Sequence, residues 1–180
     1  MASPEDTVAF IGVSSTVPVV VIDRLTLCPT GVGVMGYPMA ASLRSKTPSS
    51  CTLLICDVSQ DALSIFRAET AGKAPVEVVS NGFEAVRRAN TVITMLPTAA
   101  AVEKVYLDPG TGIIAGTLEA SKSDPQKKLL MEYRTIETAT ILKVAQTTVD
   151  ALQHSPRRGH LAVIRVLSWR WRGFRRAKNL

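Results

Sequence analysis

Apolar and polar positions change in blocks along the chain, and from Gly31 onward the blocks read as strand, turn and helix in repetition. Cys51-Thr-Leu-Leu-Ile-Cys56 is a short apolar run closed by Asp57. A run with no polar face is how a parallel strand buried on both sides reads. Residues Ser59 to Glu69 group Ala62, Leu63, Ile65 and Phe66 as one helical face. Val76–Val79 predicts a short strand, and Ser80 and Asn81 are N-cap candidates for a helix through Phe83, Val86 and Ala89. Thr91–Leu96 is a third β-rich run, stopped by Pro97, and Ala99–Tyr106 is helical again. Leu129–Glu132 predicts a strand before a helix from about Glu137 to Leu152, and Val8–Gly12 a first strand near the N-terminus. Alternation of this kind predicts an α/β fold, a doubly wound parallel sheet with helices on both faces.

Composition narrows the class. The 180 residues are 46% hydrophobic and 20% charged, which suits one globular domain with a real core. The longest apolar run, Val17–Ile22, is too short to span a membrane. Glu5 and Asp6 precede any basic residue, so the N-terminus reads as neither signal nor transit peptide, and the cytoplasm is the default location. Cys28, Cys51 and Cys56 lack metal-ligand spacing, and two histidines add little, so no metal is expected. A net charge of +6 invites a nucleic-acid partner, but its distribution argues against one. Residues 151–180 hold eight Lys and Arg and no acid, whereas the first 150 residues hold thirteen basic and fifteen acidic side chains. The chain therefore divides into a domain over residues 1–152 and a basic tail over 153–180, read as disordered or irregular.

The motif that carries chemistry is Gly31-Val-Gly33-Val34-Met35-Gly36, a G-x-G-x-x-G. Its first glycine permits a tight strand-to-helix turn, and its second lets the backbone approach a pyrophosphate. The third lets the helix pack on the sheet with its N-terminal amides facing the anion. Alone the pattern is weak. Here a helix follows over Tyr37–Lys46, then a strand, then Asp57, about 20 residues on, where ribose recognition needs an acid. A strand-end turn or a helix N-cap would also account for Asp57; beside the glycines, cofactor recognition is preferred.

Three runs, Gly33-Val-Met-Gly-Tyr-Pro-Met-Ala40, Val92-Ile-Thr-Met-Leu-Pro97 and Thr135-Ile-Glu-Thr-Ala-Thr140, resemble the N-terminal domain of the 3-hydroxyisobutyrate dehydrogenase / 6-phosphogluconate dehydrogenase family. The resemblance covers Thr7–Gly12 and then Gly31 to about Ala151. It implies a Rossmann domain, a β-hydroxyacid substrate and hydride transfer to NAD. Carried over by position, Gly12, Gly31, Gly33, Val34, Met35 and Gly36 fall in the dinucleotide loop and Asp57 on the ribose-binding acid. Leu96 and Pro97 fall in the cofactor-facing loop, and Thr135 beside the nicotinamide. No catalytic residue is carried over, because the family's acid/base lysine belongs to a later helical domain and nothing of that setting surrounds Lys178. Family analogy also leaves a mitochondrial location open. Two departures stand out: Ala101, where relatives often have a polar cofactor contact, and Tyr133-Arg134, where the family has a small pair.

Two segments do not fit. Deleting residues 12–30 would join Val8–Ile11 to Gly31 as an uninterrupted family motif, so these residues read as an insertion. They are either retained gene-model sequence or a real loop in which Val17–Ile22 forms an edge strand. In the insertion's presence, Gly12 can take the place of Gly31 as the turn glycine. After about Leu152 the family pattern stops. The run Ser168-Trp-Arg-Trp-Arg-Gly-Phe-Arg-Arg176 reads either as a frameshift or as a basic tail for an anionic surface. The leading functional expectation is the NAD-binding part of a dehydrogenase, without turnover as the chain stands. The alternatives are a non-catalytic dinucleotide-binding module and a basic-tailed interaction protein.

Overall fold

In the computed structural model, the described residues are 7–12, 35–72, 75–123, 128–133, 137–153 and 163–166. Six strands form a single all-parallel sheet: β1 (Thr7–Ile11), β2 (Thr52–Cys56), β3 (Val76–Val78), β4 (Thr91–Thr94), β5 (Leu129–Glu132) and β6 (Val163–Val166). Their order is β3-β2-β1-β4-β5-β6. The chain winds outward from β1 to β3, crosses to β4 and winds outward the other way. That is the doubly wound arrangement, and its reversal lies between β1 and β4.

Helices α1 (Gly36–Lys46), α2 (Gln60–Glu69), α3 (Gly82–Arg88), α4 (Ala99–Leu107), α5 (Ile113–Ser123) and α6 (Thr138–Gln153) connect the strands. Two apolar layers result. Phe10, Leu53, Ile55 and Ile93 pack with Ala40 of α1 and with Leu63 and Phe66 of α2. On the opposite face Ala9, Leu54, Val92 and Leu130 pack with Val86, Val102, Tyr106, Ile113 and Val144. Every residue of β2 is buried, because the strand is covered on both faces as its unbroken apolar run implies. Edge strand β3 is only partly covered, and the Arg88–Glu77 ion pair crosses from α3 to it.

Local signals explain the helix starts. Ser59, Asn81 and Thr98 each accept an amide hydrogen bond as N-caps of α2, α3 and α4. At α3 Glu84 also accepts from the Ser80 amide at 2.9 Å. That hydrogen bond, chiefly, with Arg88 beside it, holds the Glu84 carboxyl below its ordinary range. Buried Arg44 ends α1 by donating to the carbonyls of Cys51 and Pro48, both at 2.8 Å, which fixes the entry into β2.

Three expectations need correction. Ile65 is 53% exposed, so the apolar face of α2 is Leu63 and Phe66, spaced three apart. Helix α5 was not expected: after Gly110 and Gly112, Ile113, Ile114, Thr117 and Ala120 are buried at helical spacing. The region 153–180 is not irregular throughout, since Val163–Val166 adds a sixth parallel strand beside β5. Val-Ile-Arg-Val is β-branched enough to extend the sheet. The suggested edge strand Val17–Ile22, His154, His160 and the run Ser168–Arg176 lie outside the described residues.

Candidate functional site

The ends of the strands define the site. Register pairs Ile11 with both Cys56 and Thr94, and Thr94 with Glu132, so four strand ends form one row. The next residues, Gly12, Asp57, Met95 and Tyr133, therefore stand along the carboxyl edge of the sheet. Adjacent strands lie ~4.8 Å apart, so Gly12 is flanked closely by the Asp57 and Met95 turns. The crevice at the β1/β4 reversal is where open α/β sheets take ligands.

Gly12 is held on both sides. Its amide donates to the Cys56 carbonyl at 2.9 Å, and the Met95 amide donates to Ile11 at 2.9 Å. Its φ of +96° is one that L side chains rarely adopt, and a Cβ there would lie 2.2 Å from the Met95 carbonyl oxygen. The residue at the end of the first strand must be glycine, and the sheet places Gly12 there. Of the residues carried over, Gly31, Gly33, Val34 and Thr135 lie outside the described residues, as do Arg134 and Lys178.

Met35 begins α1 with an exposed side chain and makes no side-chain cap; Gly36 behind it is buried. Among the described residues, helix α1 thus differs from α2, α3 and α4 in having no side-chain oxygen at its N-cap, an arrangement that suits an anion. At the end of β2, Asp57 accepts from the Ser59 amide at 2.9 Å, and Ser59 caps α2. Leu96 is buried in the core, whereas Pro97 is exposed on the rim. Leu96 can therefore face the crevice only through its backbone. Ala101 donates its amide to Thr98 and packs on the core.

Cys56 is shaped by the same edge. Burial, chiefly, and the charges of Asp57 and Glu84 push its thiol up to about 11. The folded chain thus holds this proton more tightly than the unfolded chain, whose thiol titrates near 9.0. The stabilising contribution is complete below pH 9 and is lost as pH rises through about 11. At pH 8, iodoacetamide is expected to label Cys56 in urea but not in the native chain. Equal labelling rates by mass spectrometry would contradict this.

Among the described residues no cluster of three or more His, Cys, Asp or Glu is placed to hold a metal, and no helix is long and apolar enough to cross a membrane. One buried polar group went unanticipated: Thr94, Tyr106 and Glu132 meet behind the β4 turn. The available signals were a threonine and a glutamate ending two apolar strands.

Residues 26–148 match the family profile of the NAD-binding domain of 6-phosphogluconate dehydrogenase. The chain belongs to that family. Solved structures share its fold, two of them over most of the chain with a TM-score above 0.5. One, from Pseudomonas putida KT2440 and assigned as an oxidoreductase, is 17% identical with a TM-score of 0.53, over 81% of this chain and 37% of its own. The other is 3-hydroxyisobutyrate dehydrogenase of Mycobacterium tuberculosis, solved with L-serine: 24% identical, TM-score 0.51, over 82% of this chain and 38% of its own. No curated protein sequence matches the chain. The chain thus carries a Rossmann-type NAD-binding domain of an oxidoreductase family and spans well under half of these two solved relatives. Family membership makes a dinucleotide the cofactor class. The family match starts at residue 26, and β1, which precedes it, supplies the strand that the glycine turn requires.

Proposed function

We propose that the chain is the NAD-binding part of a 3-hydroxyisobutyrate dehydrogenase-like oxidoreductase, which transfers hydride between NAD and a β-hydroxyacid. The observation that carries this reading is Gly12, a positive-φ residue with no room for a Cβ beside Asp57. That is the geometry a pyrophosphate and its ribose need. Bound there, the nicotinamide would supply the hydride acceptor. Gly12 makes the tight turn out of β1 towards the phosphates; Gly31, Gly33 and Val34 continue that loop in sequence. Met35 and Gly36 present the amides that open α1 to the anion. Asp57 accepts from the ribose hydroxyls, Leu96 and Pro97 form the floor of the nicotinamide side, and Thr135 stands beside it.

NAD is expected to be preferred over NADP. A carboxylate at Asp57 accepts from 2′- and 3′-hydroxyls and repels a 2′-phosphate, and Val58-Ser59-Gln60 offers no arginine to offset that repulsion. Val58 is exposed and apolar, which adds no anion donor. Calorimetric titration of the chain with both cofactors tests this, and tighter NADP binding would refute it. Hydrogen bonds to a charged group are worth ~1.5–3 kcal/mol, so Asp57→Ala should weaken NAD about tenfold to a hundredfold and narrow the preference.

A further inference from the structure

Thr94 ends β4, Glu132 ends β5, and the two are register partners, so their side chains rise from the same face of the sheet. Tyr106 reaches them from α4. The Thr94 hydroxyl oxygen lies 2.8 Å from the Tyr106 hydroxyl, donates to the Glu132 carboxylate and lies 3.2 Å from the Met131 carbonyl. Thr94 has one proton to give, and it goes to Glu132; Tyr106 is then the donor to Thr94. All three residues are at most 2% exposed, and Tyr106 belongs to the apolar layer that holds Val92, Leu130 and Val102. A buried polar chain costs desolvation that valine, phenylalanine and leucine would avoid, so its place in this layer asks for another role.

Its position supplies one. The segment Met95–Thr98 leaves β4 immediately after Thr94 and enters α4, which Thr98 caps by accepting from Ala101 at 3.1 Å. The Tyr106–Thr94 hydrogen bond therefore ties the last turn of α4 back to the end of β4, so the segment between them is anchored at the strand and along the helix, and Glu132 ties the junction to β5. Met95 in turn borders Gly12: its amide bonds Ile11, and its carbonyl fills the space a Gly12 Cβ would take. We propose that Tyr106, Thr94 and Glu132 are positioning residues that hold the Met95–Pro97 segment against the Gly12 turn and so set the width of the crevice. The inference rests on the cofactor reading above for its consequence, but not for its geometry. Sites that orient a ligand need supporting groups locked to within ~0.5 Å, and a buried hydrogen-bonded chain across three elements does this where apolar packing alone would not. Burial, with the charge of Glu132, pushes the Tyr106 phenol up, so it remains a donor throughout the neutral range.

The test uses the whole 180-residue chain and two readouts: amide hydrogen exchange and NAD affinity. Tyr106→Phe and Thr94→Val each remove one hydroxyl, and Thr94→Ser keeps it. Tyr106→Phe is expected to speed exchange at Met95, Leu96 and Thr98 about tenfold, the effect of one net hydrogen bond, and to weaken NAD by a similar factor. Exchange at Leu53–Ile55 on the far side of the sheet should stay unchanged, and Thr94→Ser should behave as the wild type. Unchanged exchange at the turn would overturn the proposal. So would an equal rise at Leu53–Ile55, which marks general loosening, or a serine variant as impaired as valine. If the turn responds locally while the wild type binds no NAD, the positioning role stands and the cofactor reading falls. Should Thr94→Val fail to fold, Tyr106→Phe decides alone.

Discussion

Gly12→Ala is expected to cost the domain about 2–4 kcal/mol and to abolish dinucleotide binding. Two separate penalties combine. A backbone at φ +96° disfavours any L side chain, and the added methyl would meet the Met95 carbonyl oxygen at 2.2 Å, with the Met95 carbonyl carbon at 2.9 Å. That neighbour is backbone, hydrogen-bonded on to Ile11, so relief requires β1 and β4 to part at the crevice. Gly72 provides the control: its φ is +78°, but nothing lies within 4 Å of its Cβ position. Gly72→Ala should therefore show the backbone penalty alone, ~1–2 kcal/mol. For a domain of this size 1 kcal/mol shifts the melting temperature by roughly 2–4 °C, so thermal melts resolve the two variants. If both melt alike and Gly12→Ala still binds NAD, the placement of the first glycine is wrong.

The second large effect is on turnover. The 180-residue polypeptide is expected to show no measurable oxidation of 3-hydroxyisobutyrate, even where NAD binds. Hydride transfer from a β-hydroxyacid needs an acid/base at the hydroxyl and groups that orient the carboxylate. Among the described residues, the ionisable groups at the sheet edge are engaged otherwise. Asp57 ends β2 and accepts from the Ser59 amide, while Glu132 is enclosed with Thr94 and Tyr106. The Tyr133 hydroxyl turns back to the Met131 sulfur at 3.8 Å. Acid–base help is worth about 10²–10⁴ in rate, and orientation ~7–11 kcal/mol more. NADH formation above background from purified chain would overturn this expectation.

Much of this was legible in the sequence, for reasons tied to particular residues. Unbroken apolar runs such as Thr52–Cys56 announce strands covered on both faces, and β2 is buried throughout. Ser59 and Asn81 announce helix starts by their side-chain oxygens, and both act as caps. Helix α5 escaped because Gly110, Gly112 and Gly116 interrupt its apolar pattern at the start, where periodicity is read. Ile65 was misplaced because ten residues of helix leave the stripe's edge ambiguous, and the contact with the sheet decides it. Strand β6 was hidden by arginines: a charge-rich region reads as solvated unless a neighbouring strand offers its ladder. At the site, the sequence offered Gly12 and Gly31 as alternative turn glycines; parallel pairing puts Gly12 next after the end of β1, and Gly31 lies outside the described residues. Pairing between Ile11, Cys56 and Thr94 is long-range, so the position of Gly12 beside the ends of β2 and β4 is visible only in the assembled sheet.

The placement of β1 also governs the order in which the domain can assemble. This strand precedes the other five in the chain yet occupies the middle of the sheet, with Val8 paired to Leu53 on one side and to Thr91 on the other. Its second partner arrives only after three helices have intervened, so the central pairing closes a long loop whose entropy must be met before any contact repays it. Until then β1 and β2 present open ladders on a partly formed sheet, and the nascent chain passes through a stage at which another copy's strand could add in place of β4. Slow closure and vulnerability to mispairing during synthesis are thus built into the topology that creates the crevice.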